Sequence, residues 1–162
     1  MNKVIVIGCP GAGKSTFARK LRDKTNLPLF YLDQIWHKSD RTTISDEEFD
    51  AKLLEILEKQ DKWIIDGNYY RTLEIRFKQA DTIFFLDIPV EDCLEGAKSR
   101  VGTVREDLPW VEDKLDEEFR QWILDFPDKQ RPIIYGLIEK YNSKDIYIFK
   151  SRQEADDYLN NI

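Results

Sequence analysis

Residues Gly8-Cys9-Pro10-Gly11-Ala12-Gly13-Lys14-Ser15 fit the pattern G-x-x-x-x-G-K-[ST], and the spacing has a chemical reason. Holding the phosphates of a nucleotide takes several backbone N–H groups converging on one point, so the chain must turn tightly around them. Gly8, Gly11 and Gly13 tolerate the positive φ and close approach that such a turn demands. A helix opening directly after the turn aims its N-terminal N–H groups and the positive end of its dipole at the anion. Lys14 can then reach the β- and γ-phosphates, and the Ser15 hydroxyl can ligate Mg²⁺. Pro10, Ala12 and Thr16 complete the phosphate-binding stretch. The context supports an ATP–Mg²⁺ site over a chance match: an apolar run precedes the motif, and a helical face of Phe17, Ala18 and Leu21 follows it.

Three carboxylates stand at the ends of apolar runs, Asp33, Asp66 and Asp87. In open α/β sheets ligands bind beyond the carboxyl ends of the strands, so any of the three could face the site. Asp66 precedes Gly67, as a metal-side acid would, and reads as a Mg²⁺-shell or acceptor-side group. Asp33 reads as an acceptor-side carboxylate or a ligand of Mg²⁺-bound water. Asp87, before Ile88-Pro89, reads as a helix cap. Phosphoryl transfer spreads charge over three equatorial oxygens, and positioned arginines stabilise it. Arg71 and Arg76 follow the Asp66-Gly67-Asn68 turn, Arg100 ends a helical stretch, and Arg105 falls just beyond it. Trp36, Tyr69 and Tyr70 could line an acceptor pocket by stacking. His37, the only histidine, reads as a loop residue rather than a base. Cys9 lies inside the phosphate loop, where oxidation would be felt.

These side chains need a frame. Five continuous apolar runs, Val4–Ile7, Leu29–Leu32, Trp63–Ile65, Ile83–Leu86 and Ile146–Phe149, read as strands buried on both faces of a parallel sheet. Helical spacing separates them. Phe49, Leu53, Ile56 and Leu57 share a face, as do Val90, Cys93, Leu94, Ala97 and Val101. Leu115, Phe119, Trp122, Ile123 and Phe126 form another, and Ile134, Leu137, Ile138 and Tyr141 a fourth. Ser45 with Glu48 and Ser151 with Glu154 read as capping boxes. Alternating strands and helices imply an α/β fold with right-handed crossovers. We read one domain over 1–162, with an acceptor-side insertion at about 34–62 and a short lid at about 102–125. Trp110, Trp122 and Phe126 would pack that second excursion onto the body.

Composition narrows the function. The chain has 162 residues, 41% hydrophobic and 35% charged, with a formal net charge of −6. The acidic balance argues against direct nucleic-acid binding, which leaves a basic footprint. No apolar run approaches the roughly 20 residues of a membrane span, and the N-terminus carries no signal-peptide pattern, so a cytoplasmic protein is expected. Two cysteines, Cys9 and Cys93, make no disulfide framework and no metal-like pair.

The P-loop with Thr16, Leu32-Asp33-Gln34-Ile35-Trp36, Trp63-Ile64-Ile65-Asp66-Gly67-Asn68-Tyr69, Leu86-Asp87-Ile88-Pro89 and Arg105-Glu106-Asp107-Leu108-Pro109 together resemble the bacterial topology modulation proteins, relatives of the adenylate kinases. The resemblance runs from Lys3 to about Pro132. It implies a P-loop nucleotide-kinase-like three-layer sandwich, a five-stranded parallel sheet of order 2-3-1-4-5 with helices on both faces. It also implies that Arg71, one residue beyond the usual spacing after Asp66-Gly67, holds an acceptor phosphate, and that Arg100 closes on the transferring phosphate. Where adenylate kinases carry an adenine-stacking arginine this chain has Gly96, so stacking is lost, weakened or taken over by Arg152. The resulting expectation is an ATP- and Mg²⁺-dependent kinase of a small acceptor, nucleotide or nucleotide-like. In it Lys14, Arg100, Asp33, Asp66 and Arg105 are catalytic, and Ser15 and Asp66 hold the metal. Asp33, Trp36, Asp66, Gly67, Tyr69, Arg71 and Arg76 bind the acceptor. The rival is a nucleotide-binding regulator linked to DNA topology; a kinase acting on nucleic-acid ends is a third reading that the net charge disfavours.

Overall fold

The computed structural model describes residues 1–162. Five parallel strands, β1 (Lys3–Gly8), β2 (Leu29–Tyr31), β3 (Trp63–Asp66), β4 (Thr82–Leu86) and β5 (Asp145–Phe149), form one sheet of order β2-β3-β1-β4-β5. This is the expected α/β architecture and strand order. Eight helices complete it: α1 (Lys14–Thr25), α2 (Leu32–Trp36), α3 (Asp46–Lys59), α4 (Tyr70–Gln79), α5 (Val90–Ser99), α6 (Glu117–Lys129), α7 (Arg131–Lys140) and α8 (Arg152–Asn160). None is long and apolar enough to cross a membrane.

The continuous apolar runs have a visible cause. Successive strand residues face opposite sides, and both sides are covered. Phe84 on β4 meets Phe17 of α1 and Tyr158 of α8 on one face. Its neighbour Phe85 meets Phe126 of α6 and Tyr135 of α7 on the other. β1, β3 and β4 are buried along almost their whole length. Truncating one of these phenylalanines to alanine would cost about 3–5 kcal/mol.

Ser45 and Ser151 cap α3 and α8 by accepting from Glu48 N–H and Glu154 N–H. The apolar faces of α1 and α3 bury as expected. Elsewhere three expectations are corrected. β2 is only three residues, so Leu32 and Asp33 open α2 instead of ending the strand. Pro89, not Asp87, caps α5. Asp87 is a buried carboxylate that accepts from Arg131 Nε at 2.8 Å, Tyr135 OH at 2.9 Å and Lys150 Nζ at 2.5 Å, tying α7 to the end of β5. Desolvation raises its pKa, but these three partners outweigh it and hold the group below the usual carboxylate range. Finally, Trp122 does not bury as Phe126 does: it stays 54% exposed.

Candidate active site

The P-loop turn runs from the end of β1 into α1. Gly11 has φ +83°, and a Cβ there would lie 2.1 Å from the Cys93 carbonyl oxygen, so only glycine fits between the loop and α5. Gly13 caps α1 in the left-handed region. Cys9 and Cys93 are fully buried behind this contact. Hydrogen bonding to Cys93 and burial both push the Cys9 thiol up, the opposite of a reactive thiolate. Asn68 ties the turn to the loop after β3, accepting from Gly8 N–H at 3.0 Å and donating to Gly8 O at 2.7 Å.

Two cavities meet over this loop. One, about 470 Å³, is lined by Gly13, Thr16, Arg19, Gly96 and Arg152. The other, about 580 Å³, is lined by Lys14, Asp33, Trp36, Asp66, Tyr69 and Trp110 among others. Gly11, Ser15, Arg100, Arg105 and Asp107 border both. The first cavity suits the body of a nucleotide whose phosphates lie on the loop. Arg152 lies along that loop, donating to Gly11 O at 2.9 Å and to Ala12 O at 3.4 Å. Gly96 makes the room: a Cβ there would come within 2.6 Å of the Arg152 guanidinium and 2.3 Å of Gly11 O.

Ser15 Oγ donates to Asp66 at 2.7 Å and lies 3.2 Å from Asp107. The other oxygen of Asp66 is buried and has no partner. Burial raises the Asp66 pKa to about 6, against the lowering pull of Lys14 and the Ser15 bond. No three acidic, histidine or cysteine side chains are grouped to cage a metal unaided. The set fits Mg²⁺ carried on a nucleotide, since that ion takes one or two carboxylates plus phosphate oxygens and water.

Arg100 has a buried Nε without a partner. Desolvation first, and Arg105 beside it second, depress its pKa, which leaves it a desolvated cation facing the junction of the cavities. Arg105 is held by Asp107 at 2.6 Å and Glu112 at 2.5 Å. On the second cavity's wall, Tyr69 OH donates to Asp33 at 2.6 Å, and Tyr69 stacks on Phe49 beside Trp36. Tyr69 sits at φ 41°, ψ 70°, a strained conformation for a non-glycine residue.

Two arginines expected at the acceptor face elsewhere. Arg71 pairs bidentately with Asp50 of α3 at 2.7 and 2.8 Å, exposed and outside both cavities. Arg76 is fully buried and donates to the carbonyls of Gly67, Asn68 and Tyr69. Desolvation lowers its pKa to about 9, so it stays charged at neutral pH. It therefore clamps the strained loop from behind. The reason is helical phase: α4 buries Thr72, Leu73, Arg76 and Phe77, which turns Arg71 outward.

The segment from 101 to 116 lies over the junction. Glu106 accepts from Tyr31 OH and from Arg22 at 2.9 Å, and its backbone oxygen accepts from Gln34. His37 meets Trp110 edge-on at 5.0 Å. Asn68 and Asp107 stand in the segments that carry the family resemblance without a role of their own, and Glu112 stands in none; their hydrogen bonds to Gly8, Ser15 and Arg105 give them their place here.

No family model matches the chain, and no curated protein matches it. Solved structures do. The shikimate kinase of Bacteroides thetaiotaomicron superposes with a TM-score of 0.63 at 18% identity, over 98% of this chain and 94% of that one. The shikimate kinase of Acinetobacter baumannii, in complex with shikimate, gives 0.61 at 18% identity, over 99% and 92%. At that identity the likeness shows the fold, a P-loop kinase fold.

Proposed function

We infer that this protein is an ATP-dependent kinase that transfers the γ-phosphoryl group to a hydroxyl of a small molecule. The observation that carries the reading is the pair of cavities meeting at Ser15, Arg100, Arg105 and Asp107. A phosphoryl group leaving a nucleotide on the P-loop would pass through that junction to an acceptor on the far side. The structural neighbours, both kinases by name, support it.

In this reading the P-loop amides and Lys14 bind the β- and γ-phosphates, and Arg152 flanks the nucleotide body. Arg100 faces the transferring group and stabilises the charge that spreads over its equatorial oxygens. Asp33, oriented by Tyr69, takes the proton of the acceptor hydroxyl as its oxygen bonds to phosphorus and the bond to the ADP oxygen breaks. Ser15 and Asp66 would hold Mg²⁺, which supplies charge neutralisation between the phosphates. The segment from 101 to 116 excludes water from the junction.

ADP release from ATP–Mg²⁺, measured with a panel of hydroxylated small molecules beside the Lys14→Ala protein, tests this. Acceptor-stimulated turnover that Lys14→Ala abolishes, with an unchanged circular dichroism spectrum, is expected. Full activity in that variant would sink the assignment. Tight ATP binding without stimulation by any acceptor would instead favour the nucleotide-binding regulator that the family resemblance suggests.

A further inference from the structure

The second cavity carries information about what enters it. The cations that border it are Lys14, Arg100 and Arg105. The first two have work at the phosphates in the reading above. Arg105 is already neutralised by Asp107 and Glu112. The arginines that could have anchored an acceptor phosphate or carboxylate are committed elsewhere, Arg71 to Asp50 and Arg76 to backbone carbonyls. Arg41 stays outside as well, 6.0 Å from the Trp110 ring and donating to Val111 O. Against these, Asp33, Asp116 and Glu118 line the cavity, besides Glu112, which pairs with Arg105, and Asp66 and Asp107, which stand beside Ser15. The remaining wall is aromatic: Trp36, Tyr69, Tyr70, Trp110, Phe119 and Trp122. Trp122 is 54% exposed, an apolar surface left uncovered where a ligand body could cover it.

Five buried polar atoms without partners belong to residues of the same wall: His37 Nδ1, Asp66 Oδ1, Tyr70 OH, Arg100 Nε and Gln130 Oε1. Buried polar groups are ordinarily satisfied. All five are shielded from the cavity space as the side chains stand, so a bound molecule reaches them only where the wall moves to admit it. Asp66 is itself 5% exposed.

We propose that the acceptor carries no anionic group: it is a neutral or cationic hydroxyl compound with a flat, ring-sized apolar body, stacked among the tryptophans and tyrosines. The proposal rests on taking this cavity as the acceptor side of the phosphoryl-transfer site. With Lys14 and Arg100 engaged at the phosphates and Arg105 paired, an anionic acceptor would meet carboxylates with no further cation to offset them, whereas a protonated amine gains both Asp116–Glu118 attraction and aromatic faces. Specificity here is repulsive as much as attractive.

The test is binding by charge-matched pairs, read by tryptophan fluorescence on the wild-type protein saturated with ADP–Mg²⁺, so that the P-loop side is filled and Lys14 and Arg100 are engaged. The pairs are adenosine against adenosine monophosphate, and phenylglycinol against mandelate. The neutral or cationic member of each pair should bind at least about tenfold more tightly. Glu118→Lys, checked for an unchanged fold, should shrink the phenylglycinol–mandelate gap by about tenfold. Equal or tighter binding of the anionic member in either pair, binding by neither member, or a gap unmoved by Glu118→Lys overturns the proposal. Because turnover plays no part in this readout, the kinase reading fails separately: wild-type protein with the charge preference intact and no acceptor-stimulated ADP release would sink that reading alone.

Discussion

At the scale of single residues, Asp66 shows how a site can be built against the stability of its own fold. Desolvation raises its pKa from 3.8 to about 6, so at neutral pH the fold holds a carboxylate that it would rather keep protonated. Because the folded value lies above the unfolded one, the contribution of this group is favourable below about pH 4 and is lost as pH rises through about 6. Replacing it with the isosteric amide removes that cost. Asp66→Asn should therefore stabilise the ligand-free protein at pH 7.5, by something on the order of 1–3 kcal/mol, seen as a higher melting temperature, and the advantage should vanish below pH 4. The same change should weaken ATP–Mg²⁺ binding and cut the thermal shift produced by the nucleotide. Thermal melts with and without ATP–Mg²⁺ read both effects. A variant less stable than wild type at pH 7.5 would show that the Ser15 bond outweighs the burial of the charge.

At the scale of elements, the loop between β3 and α4 depends on Arg76. It fills the backbone acceptors of three successive residues, Gly67, Asn68 and Tyr69, while Tyr69 is held at positive φ. Arg76→Met would keep much of the packing volume and strand those carbonyls, at about 1–3 kcal/mol for each left unmade. Lysine, a point charge, cannot fork across three acceptors. Both variants should melt earlier, and acceptor turnover should fall further than ATP binding, because Tyr69 positions Asp33 and not the P-loop. Equal losses in both would place the clamp's effect on the fold alone. The role of Arg76 also marks how far the sequence was legible. The five strands stood out because burial on both faces leaves continuous apolar runs, and the P-loop because phosphate geometry demands its glycines. Proximity to Asp66 in the chain suggested that Arg71 and Arg76 serve the acceptor. Helical phase decides otherwise: the buried face of α4 takes Arg76 inward and sends Arg71 to Asp46 and Asp50 of α3. Asp87 escaped for a similar reason, since its partners Arg131, Tyr135 and Lys150 are 44 to 63 residues away.

At the scale of the whole molecule, the segment over the junction ties distant parts of the fold together. Glu106 draws on Arg22 of α1, Tyr31 of β2 and Gln34 of α2, while Arg105 and Asp107 of the same turn face the P-loop side. A carboxylate beside Ser15 occupies ground that phosphate and its metal would use, so nucleotide entry must move Asp107 or bridge it through a cation. The Glu106 contacts then act as the latch on which the segment re-seats. Much of this latch is solvent-exposed: the Arg22 side chain is 34% and that of Glu106 47% exposed, so it contributes little to global stability. On the proposed kinase reading its value lies in excluding water from the junction. Tyr31→Phe combined with Glu106→Gln should leave the melting temperature within a few degrees, as expected for about 1 kcal/mol or less in a domain of this size. It should nonetheless raise acceptor-independent ADP release several-fold relative to acceptor-stimulated release, because water reaches the transferring group when the segment seats poorly. The ratio of the two rates, measured on one preparation with and without acceptor, isolates closure from binding. A ratio identical to wild type would mean that Arg105 and Asp107 seat the segment by themselves, and that the contacts at Glu106 are surface decoration.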